Sequence, residues 1–236
     1  MKLELDDTKI TQAMMLDNHG EYEKEISDLI HRLLSKGDCF IDCGAHVGYF
    51  SIMAAEICGR VYAFEADSEN YKSLQHNIEL NRFWNNVTAF NVAVGDKCEK
   101  VKFYINLDND GGGGLWDVSK HPFNEKTRIK KKKPLKTIDM VTLDSLVNEP
   151  VKLIKIDTEG CELKILKGAE GIITKHSPVI VAEVNNFALV EMGTSKEEMF
   201  SYMYSLGYEW FNLRTRDHEL SDKYEDNVVF VRTNNH

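Results

Sequence analysis

No apolar run in this chain is long enough to cross a membrane as a helix. The opening stretch, "MKLELDDTKI", has no apolar core, so no signal peptide is expected. No two of the five cysteines, at positions 39, 43, 58, 98 and 161, stand in C-x-x-C spacing, which removes the common zinc and redox motifs. Cys39 and Cys43 lie in and just after an apolar run and read as small buried residues. A reduced, cytoplasmic protein with no membrane span is the simplest expectation. Basic excess is lacking too. Lys and Arg number 29 against 38 Asp and Glu, a net charge of −9. A protein that coats nucleic acid needs clustered cations to neutralise phosphates, so no nucleic-acid partner is expected. The exception is "IKKKKPLK", around Lys130 to Lys133, which reads as a solvated loop or as a contact for an anionic substrate. Neither G-x-G-x-x-G nor the phosphate-binding G-x-x-x-x-G-K-[ST] pattern occurs.

What is present is alternation of strand and helix patterns. "EYEKEISDLIHRLLSKGD" carries apolar residues at helical spacing up to Gly37, and "CFIDCG" then reads as a buried strand. "YFSIMAAEIC" reads as a helix, "RVYAFEA" as a strand, and "SENYKSLQHNIELN" as a helix with Ser68 as its N-cap. "NVTAFNVAVG" is a third strand with its exit, and "KVKFYINL" alternates like an exposed strand. From Asp108 to Lys133 no period holds. Four glycines and four lysines mark a long mobile loop, expected to form one wall of an acceptor site. Trp116, beside the glycines, is either a loop anchor or a platform for a sugar ring. Regular patterns resume with "KTIDMVTLDSLV", the buried strand "VKLIKIDTEG", the helix "CELKILKGAEGIITKH" and the strand "PVIVAEVN". A Ser195/Glu198 capping box opens the last helix, and "YEWFNLR" with "NVVFVRT" forms a closing antiparallel pair. The division is a helical segment over 1–37 and a Rossmann-like core over 38–236, with an insertion over about 101–137.

Such alternation predicts a mainly parallel sheet with helices on both faces and a ligand beyond the carboxyl ends of its strands. Four strands end in acid, at Asp42, Glu65, Asp157 and Glu183. Neighbouring carboxylates repel unless a cation or hydrogen-bond donors sit among them. The loop D-x-G-x-x-x-G, from Asp42 to Gly48, sets an acid where a pyrophosphate would be repelled and an ammonium or sulfonium attracted. Glu65 stands where an acid can accept from a ribose diol. S-adenosylmethionine combines those features.

The blocks "FIDCGAHVGYFS", "VYAFEADSENYKSLQHNIELN", "NVAVGD", "VTLDSL", "LIKIDTEGCELKILKGAEGII" and "PVIVAEV" resemble, in order and spacing, the FkbM family of S-adenosylmethionine-dependent methyltransferases. Ala66 departs from the proline usual in that family after "FE". The resemblance implies a class I methyltransferase fold, a doubly wound, mainly parallel seven-stranded sheet whose last strand is antiparallel. It implies cofactor contacts from Asp42, Gly44, Ala45, His46, Gly48, Glu65, Ala66, Ala93, Val94 and Asp157. It favours methyl transfer to a hydroxyl of a sugar, glycan or small natural product. Transfer to nitrogen or carbon, and a cofactor-binding module without turnover, are the alternatives.

An alcohol needs help to lose its proton. Asp157, Glu159 and Glu183 are the candidate catalytic acids. In one arrangement a carboxylate takes the proton. In the other, Asp157, Glu183 and Asn185 hold a divalent Mg or Mn ion, by resemblance to the catechol O-methyltransferases. That second pattern is incomplete, with Val184 where those enzymes carry an amide and Gly160 where they carry a lysine. Glu162 serves the following helix dipole or the site.

Overall fold

The computed structural model describes residues 1–17, 22–122, 134–221 and 225–233. The lysine run Lys130 to Lys133 and the distal part of the long loop lie outside the described residues. Seven strands form the main sheet: β1 (Cys39–Cys43), β2 (Arg60–Phe64), β3 (Val87–Phe90), β7 (Leu153–Ile156), β8 (Val179–Val184), β9 (Tyr208–Asn212) and β10 (Asp226–Arg232). Their order is β3-β2-β1-β7-β8-β10-β9. The pairs from β3 to β8 are parallel, and β10 runs antiparallel to both β8 and β9. The sequence pattern anticipated this sheet and its closing pair.

Helices cover both faces because each strand alternates. Cys39, Ile41 and Cys43 of β1 join one core and Phe40 joins the other. The second core receives α2 (Lys24–Leu33) and α3 (Tyr49–Ile57), together with α4 (Ser68–Leu80). The first receives α6 (Glu162–Lys167), α7 (Glu170–His176) and α9 (Lys196–Ser205), after α5 (Leu143–Leu146) and with α8 (Asn186–Glu191) packed at its edge. A further helix, α1 (Ile10–Asp17), lies near the chain start. Among the described residues no helix is long and apolar enough to cross a membrane.

Three local expectations are corrected. Asp67, not Ser68, caps α4, because its carboxylate accepts from the Glu69 and Asn70 N–H groups. The single helix read from Cys161 to His176 is two, broken at Gly168. A side chain at Gly168 would stand 2.0 Å from the Gly95 carbonyl oxygen, so the loop after β4 (Ala93–Val94) forces the break. That short strand does not extend β3. It joins a second sheet, β4-β6-β5, with β5 (Glu99–Tyr104) and β6 (Leu135–Val141) antiparallel.

The described part of the long loop is ordered rather than periodless filler. Gly114 bridges to Tyr104, a short 3-10 turn spans Val118–Lys120, and Trp116 and Val118 are buried.

Gly44 and Gly48 are required for packing. Both are left-handed, at φ 81° and 95°. A Cβ on Gly44 would lie 1.8 Å from the Asp157 carbonyl oxygen, and one on Gly48 would lie 2.7 Å from Leu74. The turn after β1 therefore presses on the end of β7. Gly44→Ala should cost about 2–5 kcal/mol, combining left-handed strain with forced separation of backbone. Urea unfolding measures it, and an unchanged midpoint would mean the two segments part freely.

Candidate active site

The strand β7 carries an anomaly. In "LIKI" all four residues are buried, and one is Lys155, 2% exposed. Register places Lys155 beside Asp42 on β1, on the same face of the sheet. Its Nζ donates to Asp157 Oδ2 at 2.9 Å, lies 3.9 Å from Asp42 Oδ1, and sits 5.1 Å from the Phe50 ring centroid. Burial by itself would lower the Lys155 pKa; the carboxylates of Asp157, Asp42 and Glu23 outweigh it and raise it. Asp42 is fully buried and receives a 2.6 Å bond from Ser51 Oγ. The acid expected to meet a ligand's ammonium is thus matched by the chain's own.

Beyond β7 the backbone turns sharply. Glu159 is left-handed at φ 53° and Gly160 follows at 102°. A Cβ on Gly160 would reach 2.5 Å from the Ala188 carbonyl oxygen, so α8 presses this turn closed. Trp116 secures it from the other side. Its Nε1–H donates to the Glu159 carbonyl at 2.8 Å, and its ring packs edge-on against Phe187. Trp116 is 5% exposed, which selects the anchor over the sugar platform. Glu162 lies under the same turn, where one carboxylate oxygen accepts from Thr158 N–H, Thr158 Oγ1 and Gly160 N–H. Its role in this geometry is to fasten the turn.

Asn185 uses its side-chain oxygen to accept from Ala188 N–H as the cap of α8. Its amide donates to Glu225 at 2.7 Å and to Glu159 at 3.3 Å. The set Asp157, Glu183 and Asn185 therefore does not present three free oxygens to a cation. Among the described residues no group of three or more His, Cys, Asp or Glu side chains is arranged to hold a metal.

At the end of β2, Glu65 is 7% exposed. Its Oε2 accepts from His46 N–H at 2.8 Å and its Oε1 from Asp67 N–H at 2.7 Å. Each oxygen keeps a lone pair. Burial pushes the Glu65 pKa up to about 7 against the pull of His46 and these donors.

One cavity of about 910 Å³ joins the two ends. Gly44, Ala45, His46, Glu65 and Ala66 line it, as do Ala93 and Val94. So do Asp157, Glu159 and Glu183. Asp42, Gly48 and Asn185 stand behind the wall and are not among the lining residues. Several lining residues went unread in the sequence: Glu23, Lys155 and Glu225, whereas Asp110 belongs to the loop expected to form a wall. A lysine inside an apolar strand was a visible signal for Lys155. The others come from distant segments, and nothing local marks them. Burial, then neighbouring carboxylates, raise Glu159 and Glu183 well above the usual carboxylate range.

The family model described as the methyltransferase FkbM domain matches residues 42–210. The chain belongs to that family. An 80-residue stretch is 41% identical to a tRNA (guanine(37)-N(1))-methyltransferase of Aedes aegypti, covering 33% of this chain and 14% of that protein. The FkbM methyltransferase of Methylobacillus flagellatus KT superposes with a TM-score of 0.54 at 19% identity, over 97% of this chain and 56% of that one. A Streptococcus mutans protein assigned as a methyltransferase, in complex with SAH, gives 0.54 at 11% identity, over 89% and 97%. At these identities the two structures share the class I fold.

The family implies S-adenosylmethionine as methyl donor, and the cavity fits it. Its volume suits a nucleoside with an amino-acid tail. Glu65 offers free lone pairs to a diol, and apolar Ala93 and Val94 stand at the same end.

Titration gives a stability test. Glu65 and Glu162 both have pKa values raised by burial to about 7, against 4.5 when unburied. A carboxyl with a raised folded pKa binds its proton more readily when folded. Its contribution is fully present below the unfolded value and is lost as pH climbs through the folded one. The ligand-free protein should lose at least about 4 °C of thermal midpoint between about pH 5 and pH 8. Scanning calorimetry across that range checks it; a midpoint that rises with pH would contradict the burial of these two acids.

Proposed function

We propose that this protein transfers the methyl group of S-adenosylmethionine to a hydroxyl oxygen of a sugar, glycan or small natural-product acceptor. The observation that carries this reading is the single cavity that runs from Glu65 to Asp157, Glu159 and Glu183 in a chain of the FkbM family. When bound, S-adenosylmethionine supplies a methyl group on a sulfonium. Glu65 receives the ribose hydroxyls, and Ala45, Ala66, Ala93 and Val94 border the adenosine.

In this reading Asp157 takes the acceptor's proton. Lys155 holds one of its oxygens, which leaves the other for the acceptor. With S-adenosylmethionine bound, the sulfonium would supply the methyl group to the acceptor oxygen, and Asp157 would take the acceptor's proton and pass it to solvent. Much of the acceleration comes from holding the two reactants in line. Glu159 and Glu183 border the same space and bind acceptor hydroxyls. The engagement of Asn185 with Ala188, and the ammonium of Lys155 among the acids, favour a carboxylate acting without a metal.

A second reading is methyl transfer to a base nitrogen of a nucleic acid. The stretch shared with the Aedes aegypti tRNA methyltransferase favours it. The net charge of −9 weighs against it, because neutralising phosphates needs clustered cations. Labelled cofactor offered in parallel to a glycan panel and to bulk tRNA separates the two, and label in tRNA alone would overturn the hydroxyl assignment.

Two substitutions test the roles. Glu65→Ala should weaken S-adenosylhomocysteine binding roughly ten- to a hundredfold, as expected for a lost charge-assisted pair. Calorimetry reads it, and unchanged affinity would remove Glu65 from the site. Asp157→Asn should keep cofactor affinity and lower turnover at least about a hundredfold. Wild-type turnover should survive full chelation by EDTA. Activity lost to EDTA and restored by Mg²⁺ would reinstate the metal.

A further inference from the structure

Asp110 takes no part in the chemistry above, yet its carboxylate is heavily engaged. It directly precedes the four glycines, and its side chain is 4% exposed. Oδ2 accepts from His46 Nε2 at 2.8 Å and from Gln12 Nε2 at 3.1 Å, and Oδ1 accepts from Thr11 N–H at 2.9 Å. Its carbonyl oxygen accepts from Asn70 Nδ2 at 2.7 Å. Burial opposes the charge on Asp110, but the bonds from His46, Thr11 and Gln12 outweigh it and hold its pKa down at about 2.

His46 is the next link. It is left-handed at φ 52°, a conformation that a residue with a side chain keeps only when its surroundings enforce it. In that conformation its backbone N–H points at Glu65 Oε2. Asp110 can only accept at pH 7, so the proton of the ring lies on Nε2. The enforcing contact is therefore a directed, charge-assisted bond from a loop 64 positions away.

We propose that Asp110 is a positioning residue for the cofactor's ribose: by clamping the His46 ring it holds the His46 N–H on Glu65, and so fixes the carboxylate that receives the ribose hydroxyls. This rests on the cofactor reading given above. It assigns the glycine-rich insertion a part in binding the donor, beyond any contact with the acceptor. The same carboxylate ties down α1 through Thr11 and Gln12, so one side chain organises three segments around the donor end of the cavity.

The test compares two ligands by calorimetry, S-adenosylhomocysteine and its 2′,3′-dideoxy form, on the whole chain. Asp110→Asn keeps the shape and removes the charge. It should weaken S-adenosylhomocysteine about tenfold while weakening the dideoxy ligand less than about threefold, because only the former uses Glu65. In a Glu65→Gln background the Asp110→Asn substitution should add no further loss. His46→Ala should reproduce the ribose-selective loss, and it carries the test if Asp110→Asn does not fold. Equal losses for both ligands, or no loss for either, would overturn the proposal and leave Asp110 as a tie for α1. If the unmodified protein binds neither ligand, the cofactor reading itself falls.

Discussion

The acid end of the cavity depends on one buried ammonium. Parallel pairing of β1 with β7 sets Lys155 beside Asp42, and the chain's exit from β7 sets Asp157 above it. Each charge alone would be expensive to bury. Together they form a compact group on a sheet face that is otherwise apolar, with Phe40 and Leu153 one step below. The group permits what surrounds it. Glu23, Glu159, Glu183 and Glu225 all border the same cavity, and burial first, with the charge of Asp157 in every case, raises their pKa values. The Lys155 ammonium opposes that rise at Glu23.

Strain is placed at both ends of the cavity, and in each case a distant contact holds it. His46 is left-handed and is clamped by Asp110; Glu159 is left-handed and is clamped by Trp116. Both clamps come from the segment between β5 and β6, which also pairs back on the end of β5 through Gly114 and Tyr104. Observed outliers of this kind concentrate where a backbone must present groups to a ligand. The insertion thus works as a brace on two turns. Its described part is joined to the cavity wall by hydrogen bonds whose partners lie more than forty residues away.

The strands and their acidic ends were legible because a buried strand announces itself by an apolar run, and the acid that closes it breaks that run. Asp42, Glu65, Asp157 and Glu183 were found in this way. Their partners were not. Which of two neighbouring acids meets solvent depends on register: Asp42 lies inside the sheet opposite Lys155, while Asp157 lies one step past the end of its strand. Gly44 and Gly48 were singled out as cofactor contacts; their nearest neighbours within the fold are a carbonyl of β7's exit and Leu74, which only the folded packing brings to them. The glycine at the break was visible in "LKGAEG", but its close contact with Gly95, far away in sequence, was not. The roles of Trp116 and Asn185 were ambiguous for the same reason. Each has chemistry suited to a ligand, and each engages partners within the fold instead, Trp116 a backbone carbonyl and Asn185 a backbone N–H and two carboxylates.

Protonation shapes what the acceptor end can offer. Burial and neighbouring carboxylates raise Glu159 and Glu183 well above the usual carboxylate range, so this end carries less negative charge than its number of acids suggests. The hydroxyls of a neutral polyol can donate to these oxygens. Carboxylates held near protonation can also serve as donors, so Glu159 and Glu183, raised well above the usual range, can pair with either end of a hydroxyl. Hydroxyl groups are themselves both donors and acceptors. Acids held near protonation around one ammonium can therefore adjust their protons to a hydroxyl-rich ligand without importing a counter-charge.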